Sequence, residues 1–116
     1  MLASLSALAE FPNNIKNLFL TDSKNSAGIY AVRFFIRGKP WVITVDDYIP
    51  FVKNKTDGKF YPMNAKLGEN NDFWAIILEK AWAKMKGNYL HTYSGFTENG
   101  LSNLLGFPVF SYSNAY

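Results

Sequence analysis

The sequence predicts an α+β fold, mainly helical and carrying one β-hairpin, and three stretches make that prediction. Asn71–Gly87 repeats apolar residues at helical spacing. Gly28–Arg37 and Trp41–Val45 are rich in β-branched and aromatic residues on either side of a Gly38-Lys39-Pro40 turn. Met1–Glu10 is small and apolar almost throughout.

Taken in order, Leu2, Leu5 and Leu8 recur every three residues with Ala and Ser between them. That pattern reads as a buried helix which other elements approach closely, ending near Phe11-Pro12 because proline disfavours helical geometry before it. Ile15–Leu20 adds one or two helical turns, and Thr21–Ala27 is polar and turn-like. Ile29, Tyr30, Val32, Phe34, Phe35 and Ile36 favour a strand, which Trp41–Val45 pairs as the returning arm. Asp46-Asp47-Tyr48-Ile49-Pro50 breaks it, since carboxylates do not belong inside a ladder and proline removes a donor. Asn54–Gly58 is a loop tip, and Lys59–Tyr61 a short strand.

In Asn71–Gly87 the stripe of Phe73, Ile76, Ile77, Ala81 and Met85 is widened by Trp74, Leu78 and Trp82. So wide a stripe is covered on more than one side. Asn71 is the capping residue, Asp72 complements the positive helix end, and Gly87 stops the helix in a left-handed conformation. Glu79, Lys80, Lys84 and Lys86 are its polar positions. Asn88–Gly95 reads as extended or turn-rich. Thr97–Leu105 is a short helix capped by Thr97 and stopped at Gly106, and Val109–Tyr116 an exit strand or frayed end.

Composition bounds the function. A chain of 116 residues suits one domain and buries roughly two-thirds of its unfolded surface. Its 48% hydrophobic and 17% aromatic residues are enough for a core. No apolar run approaches the ~18 residues of a membrane span, and Met1–Leu8 lacks the basic flank of a signal peptide. Net charge is +3, but the lysines are scattered rather than interleaved with aromatics, which argues against nucleic acid as a partner. The absence of cysteine excludes disulfides, thiolate metal sites and a thiol nucleophile within these residues. It fits a reducing, cytoplasmic compartment.

Three blocks then resemble the calpain family of papain-like cysteine proteases. The hairpin ending Val45-Asp46-Asp47-Tyr48-Ile49-Pro50 is similar to the family's Val-Asp-Asp-x-Leu-Pro. Asp72-Phe-Trp-Ala-Ile-Ile-Leu-Glu-Lys-Ala-Trp-Ala-Lys-Met-Lys-Gly-Asn-Tyr89 is close to Glu-Phe-Trp-x-x-Leu-Leu-Glu-Lys-Ala-Tyr-Ala-Lys-x-x-Gly-x-Tyr. Tyr93-Ser-Gly95 with Gly100–Gly106 is a looser match to a glycine-rich region. Met1–Glu10 resembles the central helix, entered two residues after the nucleophilic cysteine. In papain-like enzymes that cysteine sits at a helix N-terminus beside a histidine, which together make a thiolate. The resemblance implies a partial protease core over residues 1–116, the first subdomain. The family's catalytic histidine and asparagine belong to a second subdomain that would follow Gly106.

Single residues are read against that resemblance. His91, the only histidine, matches a non-catalytic position and is expected to be a loop residue. Asp72 aligns with an acidic calcium ligand of the family, although helix-end electrostatics alone explains it. Calcium takes six to eight oxygens, and the other ligands belong to a loop before the nucleophile, so tight binding by this chain alone is not expected. Gly95 aligns with the first of two glycines flanking substrate, and Phe96 replaces the second, which would crowd a peptide in the cleft. Asp46 and Asp47 point to opposite faces of an extended chain, so a strand-ending turn is favoured over paired acid–base chemistry. Trp41, Phe73, Trp74 and Trp82 are expected in the core.

The resemblance implies one of two functions. One is a segment of a calpain-type calcium-dependent cysteine endopeptidase, supplying scaffold and half the cleft while lacking the catalytic Cys, His and Asn. The other is a pseudoprotease serving as an interaction module. Either way an exposed apolar face predicts a protein partner or the remaining protease subdomain.

Overall fold

The computed structural model describes residues 2–21, 23–63, 65–68, 72–92, 97–110 and 112. Its hairpin pairs β1 (Ile29–Ile36) with β2 (Lys39–Asp46) in antiparallel register, Ile36 opposite Lys39 and Ile29 opposite Asp46. The turn is Arg37-Gly38, both with positive φ (53° and 76°), the geometry whose twist matches paired strands. Lys39 and Pro40 therefore belong to β2 and not to the turn. Pairs alternate between bonded and non-bonded from the turn outward. That alternation faces the nitrogen of Pro40 to the open edge, where a missing N–H breaks no ladder bond.

Helices α1 (Leu2–Ala9) and α2 (Pro12–Lys16) precede the hairpin. Pro12 occupies the first turn of α2, where its absent N–H is not missed. The helical turns expected across Ile15–Leu20 thus begin and end earlier. Leu18–Leu20 instead runs along the free edge of β1: the Arg33 N–H donates to Leu18 O (2.7 Å) and the Leu20 N–H to Ala31 O (2.9 Å). The Asn25 side chain completes that edge, donating to Ile29 O (2.9 Å) and accepting the Ile29 N–H (3.3 Å). A second small sheet pairs β3 (Phe51–Lys53) with β4 (Phe60–Pro62) across the loop tip. The sequence indicated only its second arm.

Helix α3 (Trp74–Lys86) crosses the inner face of the hairpin. Trp82 meets Phe34 edge to face at 5.5 Å, and Phe73 meets Tyr30 at 5.8 Å. Leu5, Leu8, Ile15, Leu18 and Leu104 close the core around them. The helix starts later than the stripe suggested. Phe73 is its N-cap residue, with φ −112°, ψ 11° and no side-chain capping bond. The Gly68 N–H donates to Asp72 O (3.0 Å), which holds Asp72 outside the helix; Asn71 lies outside the described residues. Gly87, at φ 105°, ends the helix as expected.

Beyond it come a 3-10 turn (Tyr89–Thr92) and α4 (Thr97–Leu105), which stops at Gly106 (φ 76°). Thr97 is the first helical residue of α4 and not its flanking cap. No strand forms among the described residues of the tail. Trp82 is buried, and Phe73 and Trp74 are half-buried. Trp41 departs from the core expectation at 54% exposure. It shares the inner face with Phe34, but the bonds from α3 to β2 fall at Thr44 and Asp46, the end away from the turn.

Candidate functional site

Asp46 ends β2, and α3 decides what its carboxylate meets. Lys80 and Lys84 lie one turn apart on α3. The Lys80 ammonium donates to Asp46 Oδ1, to Asp46 O (3.2 Å) and to Tyr48 O (2.5 Å), using all three protons. Lys84 donates to Thr44 O (2.6 Å). Thr44 and Asp46 are outward-facing in the alternation set at the turn, so these ammoniums occupy acceptors of the open edge. Asp46 Oδ1 also accepts the Tyr48 N–H (2.9 Å), the strand-ending turn that the sequence favoured. The Lys80 hydrogen bond, and then the Tyr48 amide, hold the Asp46 carboxyl below the usual carboxylate range.

Asp47 turns elsewhere. Its N–H donates to Gly28 O (2.9 Å), and its carboxylate lies 2.7 Å from where a Cβ on Gly28 would be. The two aspartates therefore do not converge on a ligand.

Tyr89 faces the same lysine latch across a cavity of about 480 Å³. Burial, then the negative charges of Glu79 and Asp46, push its phenol up to about 12. An ionised phenolate is disfavoured in the fold, so this tyrosine supports stability fully below about pH 10. The support is lost as pH rises through about 12. A spectrophotometric titration is expected to contain a late tyrosine step that Tyr89→Phe removes. If wild type and variant titrate alike, the Tyr89 environment is not the one described.

Asp72 is exposed and lines a second cavity of about 830 Å³ with Tyr30, Phe73 and Trp74. Among the described residues, no three His, Cys, Asp or Glu side chains gather as a metal site. One carboxylate supplies at most two of the six to eight oxygens calcium takes. The described residues around Asp72 do not by themselves complete a calcium site.

Gly95 and Phe96 lie outside the described residues. His91 falls in the 3-10 turn Tyr89–Thr92. Next to the Gly95-Phe96 stretch, α4 rests on α1 through small residues. A Cβ on Gly100 would overlap Ser4 Oγ and lie 3.0 Å from Ser4 Cβ, and Ser4 is fully buried.

Two functional-looking groups were missed in the sequence. Glu79 reads there as a polar helix position, yet it is 2% exposed and its Oε2 accepts the Ala65 N–H (3.0 Å). Its place directly after Ile76, Ile77 and Leu78 was the available signal. Tyr30 is 4% exposed with a hydroxyl that has no hydrogen-bond partner among the described residues, and no local pattern announces that.

Comparison with known proteins gives the context. The model of the calpain family of cysteine proteases matches residues 1–115. The calpain-type cysteine protease DEK1 of Zea mays is 36% identical over 105 residues, covering 90% of this chain and 5% of that protein. Calpain-13 of Rattus norvegicus is 32% identical over 108 residues, covering 90% of this chain and 15% of its own length. Calpain-8 of Mus musculus is 34% identical over 109 residues, covering 88% and 14%. The chain thus spans a small part of the relatives it matches. Among the described residues no helix is long and apolar enough to cross a membrane. With its hairpin, central helix and family match in agreement, the chain belongs to the calpain family of cysteine proteases.

Proposed function

We propose that these residues are the first protease subdomain of a calpain-type cysteine endopeptidase, supplying scaffold and one wall of the substrate cleft. The family match across residues 1–115 carries this reading. Helix α1 supports it, because Leu2-Ala-Ser-Leu-Ser-Ala-Leu8 is the stretch that follows the nucleophile in the family pattern. The thiolate, the histidine that shuttles its proton and the asparagine that orients that histidine come from residues other than these, which hold no cysteine. Regulation by calcium is part of the proposal only through Asp72, as one ligand completed by other segments. Partners are the second protease subdomain or another protein, seated on exposed apolar side chains such as Phe11, Leu90 and Phe107. The proposed compartment is the cytoplasm.

One feature favours a second reading, a pseudoprotease used as an interaction module: Phe96 stands where the family pattern has its second cleft glycine. The two readings separate on the full gene product. Cleavage of a peptide reporter that an alkylating thiol inhibitor abolishes is the expected result. An inactive product whose encoded residue ahead of the Met1 stretch is not cysteine would transfer the assignment to the pseudoprotease. The 116-residue chain alone is expected to leave the reporter uncut, and inhibitor-sensitive cleavage by it would overturn the residue assignment.

A further inference from the structure

The two edges of the hairpin are treated differently. Along β1 the edge is filled by Leu18–Leu20 and Asn25, but along β2 it is filled at one end only. Pro40, Val42, Thr44 and Asp46 face outward, because the pairs Phe35–Pro40, Arg33–Val42, Ala31–Thr44 and Ile29–Asp46 do not bond across the hairpin. The β1 side agrees: the Arg33 N–H and Ala31 O both find their partners outside it. Lys84 donates to Thr44 O and Lys80 to Asp46 O. That leaves Pro40 O, the Val42 N–H and C=O, and the Thr44 N–H. Among the described residues none of these four has a partner. Val42 and, beside it on the inner face, Trp41 are each just over half exposed. Charge at this end is of one sign. Arg33, directly opposite Val42, Arg37 in the turn and Lys39 are exposed and form no ion pair among the described residues. Asp46, the carboxylate of β2, stands at the far end and is held by Lys80.

We propose that this edge docks an extended acidic segment of a partner protein, which adds a third strand beside β2. Unpaired edge groups are a ready template for such addition, and main-chain bonds supply the register. The segment bonds to Val42, to the Thr44 N–H and to Pro40 O. The Lys84 ammonium ends the added strand, because it already occupies Thr44 O. Side chains of the segment alternate between the two faces. Those beside Val42 lie one strand away from Arg33, which favours carboxylates. Those on the inner face meet the exposed Trp41 ring, which favours apolar side chains. The edge therefore selects an alternation of acidic and apolar residues. A basic segment would meet three like charges, and a second copy of this chain would bring the same three charges to the same edge. The protease reading uses none of these groups, and binding is measured without cleavage.

Fluorescence anisotropy of a labelled peptide of alternating glutamate and valine, titrated with the whole chain, tests the assignment. Saturable binding is expected. The glutamates pair with Val42, so N-methylating them is expected to weaken binding about tenfold or more, whereas N-methylating the valines on the far edge changes it less than about twofold. A lysine-for-glutamate peptide is expected to bind at least about tenfold more weakly. Val42→Pro removes an edge donor without touching the β1–β2 ladder and is expected to weaken binding about five- to tenfold. Arg33→Glu is expected to weaken it too, while Phe60→Ala on the second hairpin leaves it unchanged. Melting curves establish that each variant is folded, and if Val42→Pro is not, the two methylated peptides decide on the wild type. Absence of saturation, equal binding of the two methylated peptides, equal binding of the lysine peptide, or unchanged binding by folded Val42→Pro each overturns the proposal. Self-association of the chain that Val42→Pro abolishes would also overturn it, and would assign the edge to a second copy.

Discussion

Phe34→Ala is expected to lower stability by about 3–5 kcal/mol, the range for truncating a buried aromatic ring. Phe34 has no exposed surface and stands edge-on to Trp82, so it is where the hairpin and α3 share atoms. Its neighbours Val32 and Leu78 are equally buried. A void there would be lined by side chains held on two elements that cannot both move in. Domains of this size hold only about 5–15 kcal/mol in all, so the variant is expected to lose about a fifth or more of it. Urea unfolding measures it: the midpoint should fall while the slope stays constant. A cycle with Trp82→Leu should return about 0.5–1.5 kcal/mol of coupling for the ring pair. A loss under about 1 kcal/mol would mean that the ring is not in the core.

Gly100→Ala is the second large effect, and its sign is the informative part. Gly100 sits inside α4, where replacing glycine by alanine ordinarily stabilises by about 0.5–1 kcal/mol. Here the added methyl would enter the space of Ser4, which is completely buried on α1. Overpacking costs about 1–3 kcal/mol, so the net change is expected to be destabilising. The double variant Ser4→Gly/Gly100→Ala moves the methyl across the contact and should recover at least half of the loss. Thermal melts of the wild type and the two variants decide it. A stabilised Gly100→Ala would show that α1 and α4 do not approach as described.

The contact also shows why function was legible here mainly through family pattern. Ser4 and Gly100 look like two unremarkable small residues until α4 lies on α1. The same holds for Lys80, a solvent-facing helix position by periodicity, which meets Asp46 thirty-four residues earlier in the chain. Tyr30 belongs with them, since its hydroxyl becomes unusual only through burial by distant elements. Trp41 errs the other way. Its type and spacing suit a core, but it stands at the end of β2 away from the bonds to α3.

What the sequence determined alone is whatever neighbours along the chain decide. Apolar periodicity set the type of α1 and α3, and Gly87 and Gly106 ended α3 and α4 through a conformation that other residues resist. The β-branched and aromatic run set the hairpin, and the order of these blocks carried the family. Tertiary structure decided which edges were open and what filled them. It drew Leu18–Leu20 out of a helix onto β1, paired Phe51–Lys53 with Phe60–Pro62, and buried the Tyr30 hydroxyl. Backbone and polar groups must find partners across space, and those partners are set by packing rather than by adjacent residues.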